Sequence, residues 1–181
     1  DMGLTTGLEG EEVDVILDTS IPFNLNTPSF ISGTGDYCTM FEPVASQCVE
    51  DKTGYIVSAL GEKLSNVPYT CFTANKELLN KDSEKLTNFV KALKKGYDFV
   101  ISASDEELLK ALKPSFNTTK DSLIISAVKN YLRIGAYAES SVLSESAWEQ
   151  MLDIIDNAGE LKARVAHSTA VNTQIAKNAL A

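Results

Sequence analysis

One histidine in 181 residues leaves little of the usual apparatus of catalysis. His167 lies in a tail without bulky residues, far from any expected strand end, and reads as a solvated surface side chain. No HExxH, GxSxG or phosphate-loop signature is present, so hydrolytic and nucleotide-dependent chemistry lack their residues. The three cysteines, Cys38, Cys48 and Cys71, never fall into a CxxC pair, which argues against zinc. They read instead as small core residues, and neither a metal nor a cofactor is expected. No apolar run approaches the roughly 18 residues of a membrane span. Basic residues are in deficit, 16 against 25 acidic ones, for a net charge of −9 and a pI near 4.6. Phosphate backbones and anionic membrane faces require the opposite sign, so neither is an expected partner.

What is present is an ordinary globular composition, 44% hydrophobic and 23% charged, in a chain long enough for one core or two small lobes. Residues 1–12 read as the end of a helix and a loop. Short apolar runs then alternate with capped helices, the mark of a parallel or mixed sheet. Strands are predicted at 13–18, 36–42, 54–60 and 68–74, with helices at 27–33, behind Asn26 and Pro28, and at 43–51, behind Pro43. Residues 61–67 are the hinge candidate. From 75 onward the pattern becomes helical. Leu86, Phe89, Val90, Leu93, Tyr97 and Val100 form a stripe behind a cap at Asp82 or Ser83. Ser104 and Glu107 have capping-box spacing. Pro114 ends that helix, and Thr118 or Thr119 begins the next. Ser144 caps a helix whose Trp148, Met151, Leu152 and Ile155 face a core, and Gly159 stops it. The tail from His167 is expected to fray.

The richest stretch is Gly33-Thr34-Gly35-Asp36-Tyr37-Cys38-Thr39-Met40-Phe41-Glu42-Pro43. A turn feeds an expected strand, the strand ends on a carboxylate, and a proline opens a helix. In an α/β protein ligands are met at such a strand end. Glu42 has two readings: a ligand-binding carboxylate at the lip of a cleft, or a cap on the helix that follows it. Phe23 and Asn24 follow strand 13–18 and offer a platform and a donor, or an ordinary polar loop. Tyr69 and Thr70 follow Pro68 and offer a stacking ring and hydroxyls, or a core tyrosine and a strand threonine. Gly33 and Gly35 read as turn residues, because no GxGxxG accompanies them.

The segments FISGTGDYCTMFEP, VPYTCFTANKELLNKDSEKLTNFVKALKKGYDFV and SESAWEQMLDIIDNAGEL, in that order, resemble the solute-binding subunits of ABC importers. The branch is that of nitrate, sulfonate, taurine and thiamine-pyrimidine precursors, and the resemblance runs from about Gly3 to the C-terminus. It implies a clamshell of two α/β lobes of the type II periplasmic-binding-protein fold, outside the cell membrane, docking on a permease. On this reading 1–66 are part of the second lobe. Residues 67–181 are a strand plus helices returning to a first lobe whose front is expected to be absent, as is any signal region. Family members carry an acidic residue in a matching aromatic-Glu-Pro motif, so Glu42 would favour an amine or aminopyrimidine over an anion. An open edge at strand 68–74 would invite a homodimer. The rival readings are an enzyme related to the thiamine-pyrimidine synthases, which a single histidine disfavours, and a non-transport sensor on the same lobes.

Overall fold

The computed structural model describes residues 3–64 and 67–180. The chain divides into two compact units, Asp1–Val57 and Ser58–Ala181. The expected α/β architecture is not what forms. The chain is mostly helical, and its sheet among the described residues is a single parallel pair, β1 (Thr6–Gly7) with β2 (Val15–Ile16).

In the first unit the pair is pinned by Asp14, whose carboxylate accepts from the Thr5 amide and hydroxyl, both at 2.8 Å. Those bonds hold the Asp14 carboxyl below its ordinary pKa. Helix α1 (Phe23–Ile31) starts four residues earlier than Pro28 suggested, directly after Pro22. Pro28 therefore lies inside the helix and has no N–H to give the Asn24 carbonyl its i+4 bond. Helix α2 (Val44–Glu50) follows Pro43 as expected. The runs 36–42 and 54–59 form no strand.

In the second unit α3 (Leu60–Lys63) occupies the end of the third expected strand, 54–60, and the front of the hinge candidate 61–67, of which 65–66 lie outside the described residues. Run 68–74 likewise forms no strand, so it offers no sheet edge for a second copy to extend. A parallel strand needs a neighbour brought from elsewhere in the sequence. Among the described residues only Thr6–Gly7 plays that part. Apolar alternation marks a chain fit for a sheet, and the sheet itself depends on that second strand.

The helical half follows its local signals closely. Helix α4 (Lys76–Lys81) is capped by Asn75, and α5 (Ser83–Ser102) by the Asp82 side chain on the Lys85 amide. Helix α6 (Asp105–Leu112) carries the full capping box, with Ser104 and Glu107 bonding reciprocally. Helix α7 (Asp121–Arg133) begins behind Lys120 rather than at Thr118 or Thr119. Helix α8 (Glu145–Asn157) is capped by Ser144 and ended by Gly159 at φ +73°. The core of this unit gathers where α6 packs on α7: Leu108, Leu123, Ile124 and Val128 are buried.

The tail is held rather than frayed. Arg164 reaches Glu149 at 2.8 Å and Asp153 at 2.7 Å on α8. The Trp148 indole donates to the Val165 carbonyl at 2.9 Å, and the His167 Nε2 lies 2.9 Å from the Leu143 carbonyl. Trp148 and His167 are thus half-buried latch partners, not a fully sealed core residue and a solvated one. Helix α9 (His167–Ala170) and α10 (Gln174–Leu180) complete the chain, with α10 packed on α5.

Candidate functional site

The first unit carries an open depression of about 260 Å³. Phe23, Asn24 and Thr27 line it from the first turns of α1, Thr39, Met40 and Phe41 from the run before α2, and Val44 from the start of α2. The rings of Phe23 and Phe41 meet with centroids 5.4 Å apart and planes inclined by 54°. None of these lining residues is charged. The polar groups are the Asn24 amide and the hydroxyls of Thr27 and Thr39. Two aromatic walls with a few convergent polar groups suit a small, flat, neutral or cationic molecule.

Phe23 and Asn24 thus fall in one site with Phe41, although they open a helix rather than a loop after a strand. Glu42 adjoins the depression in sequence, but its carboxylate is turned onto α2. It accepts from the Ser46 amide at 3.1 Å and the Ser46 hydroxyl at 2.9 Å. The start of α2 is thereby accounted for: the Ala45 amide goes to the Phe41 carbonyl, that of Ser46 to Glu42, and that of Gln47 to the Pro43 carbonyl. The geometry is that of the cap reading. Tyr69 and Thr70 belong to the other unit, where both are exposed on the run before α4. Phe72 of that run meets Phe89 of α5 edge-on at 4.9 Å. Cys71 is exposed too, so the core reading of the cysteines holds for Cys48 and not for Cys71. Cys38 is intermediate, and burial together with the neighbouring Cys48 raises its thiol pKa.

Over 164 residues the chain is 33% identical to a protein of Bacillus subtilis (strain 168) named "Putative binding protein YtlA". That likeness supports a binding-protein family. It covers 91% of this chain and 49% of the relative, so the chain spans about half the relative's length. No family model matches the chain, and no solved structure does. A likeness to a named binder agrees with a site built of aromatic walls and neutral polar groups. Among the described residues no trio of His, Cys, Asp or Glu could hold a metal ion, and no helix is long and apolar enough to cross a membrane.

Thr27, Thr39, Met40 and Val44 were not singled out from the sequence, yet a signal existed. Thr27 lies one helical turn from Phe23 and Asn24, and Thr39 and Met40 immediately precede Phe41. Only the earlier start of α1 brings Phe23 and Asn24 onto the face that Thr27 shares.

Proposed function

We propose that this chain is part of a solute-binding subunit that serves an ABC permease outside the cell membrane. Its bound solute would be a small polar molecule, with amines and aminopyrimidines favoured over nitrate or sulfonates. The observation that carries the reading is the likeness to a binding protein along nearly the whole chain. The depression agrees with it. A flat heterocycle would lie against the wall that the contacting Phe23 and Phe41 rings form, with its edge toward Asn24, Thr27 and Thr39. The absence of lysine or arginine from the lining, together with the Glu42 carboxylate one residue past Phe41, disfavours an anion. No step of this reading needs a catalytic group.

The test is a thermal-shift and calorimetric screen of the 181-residue chain against an aminopyrimidine, an alkylamine, nitrate and an alkyl sulfonate. A ligand at about 100 times its dissociation constant stabilises by roughly 2.7 kcal/mol. Stabilisation by the first two probes that weakens in Phe23→Ala supports the proposal. Stabilisation by nitrate or sulfonate alone overturns the ligand class, and turnover of any probe overturns the binding reading.

A further inference from the structure

Helix α5 is 20 residues long, yet none of its side chains is buried. Helices α10 and α4 pack on it. With seven and six residues they extend about 10 and 9 Å, against about 30 Å for α5. One stripe of α5, through Leu86, Val90, Leu93, Tyr97 and Val100, is half-buried by the rest of the unit. A second stripe of Phe89, Ala92, Gly96 and Phe99 lies about a quarter-turn round the helix, and all four are exposed. Phe89 keeps 43% and Phe99 40% of its surface. Phe72, 74% exposed, stands edge-on to Phe89 and widens this apolar surface at one end.

The exposed stripe has the spacing and the size pattern of a seam between helices. Its steps of three, four and three residues are those of the core positions of a coiled coil. Gly96 falls inside the helix, where glycine is weaker than alanine. Among the described residues, a Cβ added there would meet nothing within 4 Å beyond the helix's own backbone. Nothing inside the chain therefore calls for the missing side chain, whereas the close approach of another helix does. The order large, small, small, large also reads the same from either end. A two-fold axis crossing α5 near residue 94 sets Phe89 against Phe99 of the partner copy, and Ala92 against Gly96 of the partner copy. Parallel pairing would set glycine on glycine and leave a gap. Area argues the same way. The chain exposes 13468 Å², whereas two separately compact units of these lengths would expose about 10,000 Å². The difference exceeds the roughly 1,000 Å² that a specific interface buries.

We propose that a second copy of this chain docks on this face, α5 against α5, antiparallel about a two-fold axis. The contact uses a helix face rather than a sheet edge, and it is independent of what the depression in the first unit binds. Lys95 is exposed at one flank of the seam and comes beside Lys95 of the partner copy near the axis. Leu93 meets its own counterpart on the other flank. The interface is thus apolar with a like-charge rim, so screening by salt tightens it.

The test is sedimentation velocity on the whole chain over a concentration series, at low and at high salt. The expected result is a reversible monomer–dimer equilibrium that strengthens with salt. Gly96→Leu adds a side chain that the free chain has room for, and it should weaken the dimer at least about tenfold. Leucine also favours the helix, so that loss does not come from unfolding. Orientation is read by cross-linking in a Cys71→Ser background. Ala92→Cys mixed with Gly96→Cys should form an intermolecular disulfide on mild oxidation faster than either variant alone. A chain that stays monomeric at every concentration overturns the proposal and leaves the face to a different partner. A dimer that salt weakens, a Gly96→Leu chain that pairs as the parent does, or Ala92→Cys that cross-links preferentially to itself would each overturn the antiparallel seam.

Discussion

Glu42 separates the two readings of this unit most sharply, and its replacement by glutamine has a calculable effect. The carboxylate accepts two bonds from Ser46, at 3.1 Å from the amide and 2.9 Å from the hydroxyl. Ser46 is only 9% exposed, so water is a poor substitute once the bonds are lost. A hydrogen bond to a charged acceptor contributes roughly 1.5–3 kcal/mol, and a neutral one about 1. Glutamine retains one acceptor oxygen and turns a donor toward the other Ser46 group. With the oxygen on the Ser46 amide, the glutamine N–H donates to the Ser46 hydroxyl, so both bonds persist without charge assistance, and partial exposure of Glu42 reduces the loss. The expected cost is about 1–2 kcal/mol, or roughly five- to thirtyfold in the local opening equilibrium. Because the chain has two compact units, global melting would blur the effect. Amide hydrogen exchange reads it directly: the Ser46 amide should exchange about tenfold faster in Glu42→Gln, while α5 amides stay unchanged. Pairing Glu42→Gln with Ser46→Ala in a double-mutant cycle isolates the contact. If Ser46 exchange moves by less than about twofold, the brace is not what the geometry indicates. Solute affinity that nevertheless drops tenfold would assign the carboxylate to the ligand.

Further expectations follow from the second unit. Leu123→Ala, in the packed face between α6 and α7, should destabilise that unit by roughly 2–5 kcal/mol in urea denaturation, because Leu123 is 4% exposed and the space cannot refill. Ser104→Ala removes the hydroxyl that caps α6 and should cost about 1 kcal/mol by the same measurement. The Glu107 carboxyl is held below its ordinary value by the amide and hydroxyl of Ser104. Its contribution is therefore present above the unfolded pKa and is lost as pH falls through the lower folded one. In Ser104→Ala the backbone amide at 104 still holds Glu107, so the acid side of the stability–pH curve should flatten only in part. Arg164→Ala should release the 164–167 segment from α8, and the indole of Trp148, relieved of its cover at Val165, should emit further to the red.

What could be read from the sequence, and what could not, divides along a physical line. Helix signals are local: Asp82, Ser104 and Ser144 bond amides three residues away, and each cap formed where its spacing placed it. A strand signal is only half of a contract, since its ladder depends on residues far off in sequence. The expected strands 36–42, 54–60 and 68–74 therefore do not form, and Leu60 opens a helix instead. Val15–Ile16 became a strand because Thr6–Gly7, nine residues back, was within reach. The site shows the same split. Phe23 and Asn24 were found from side-chain chemistry, yet their partners Thr27 and Thr39 depend on where α1 begins. There the proline rule misled: Pro28 was read as the first residue of a helix that had already begun at Phe23. A proline in the second turn cannot donate to the Asn24 carbonyl, so helix α1 lacks one regular backbone bond in the turn whose Asn24 and Thr27 line the depression.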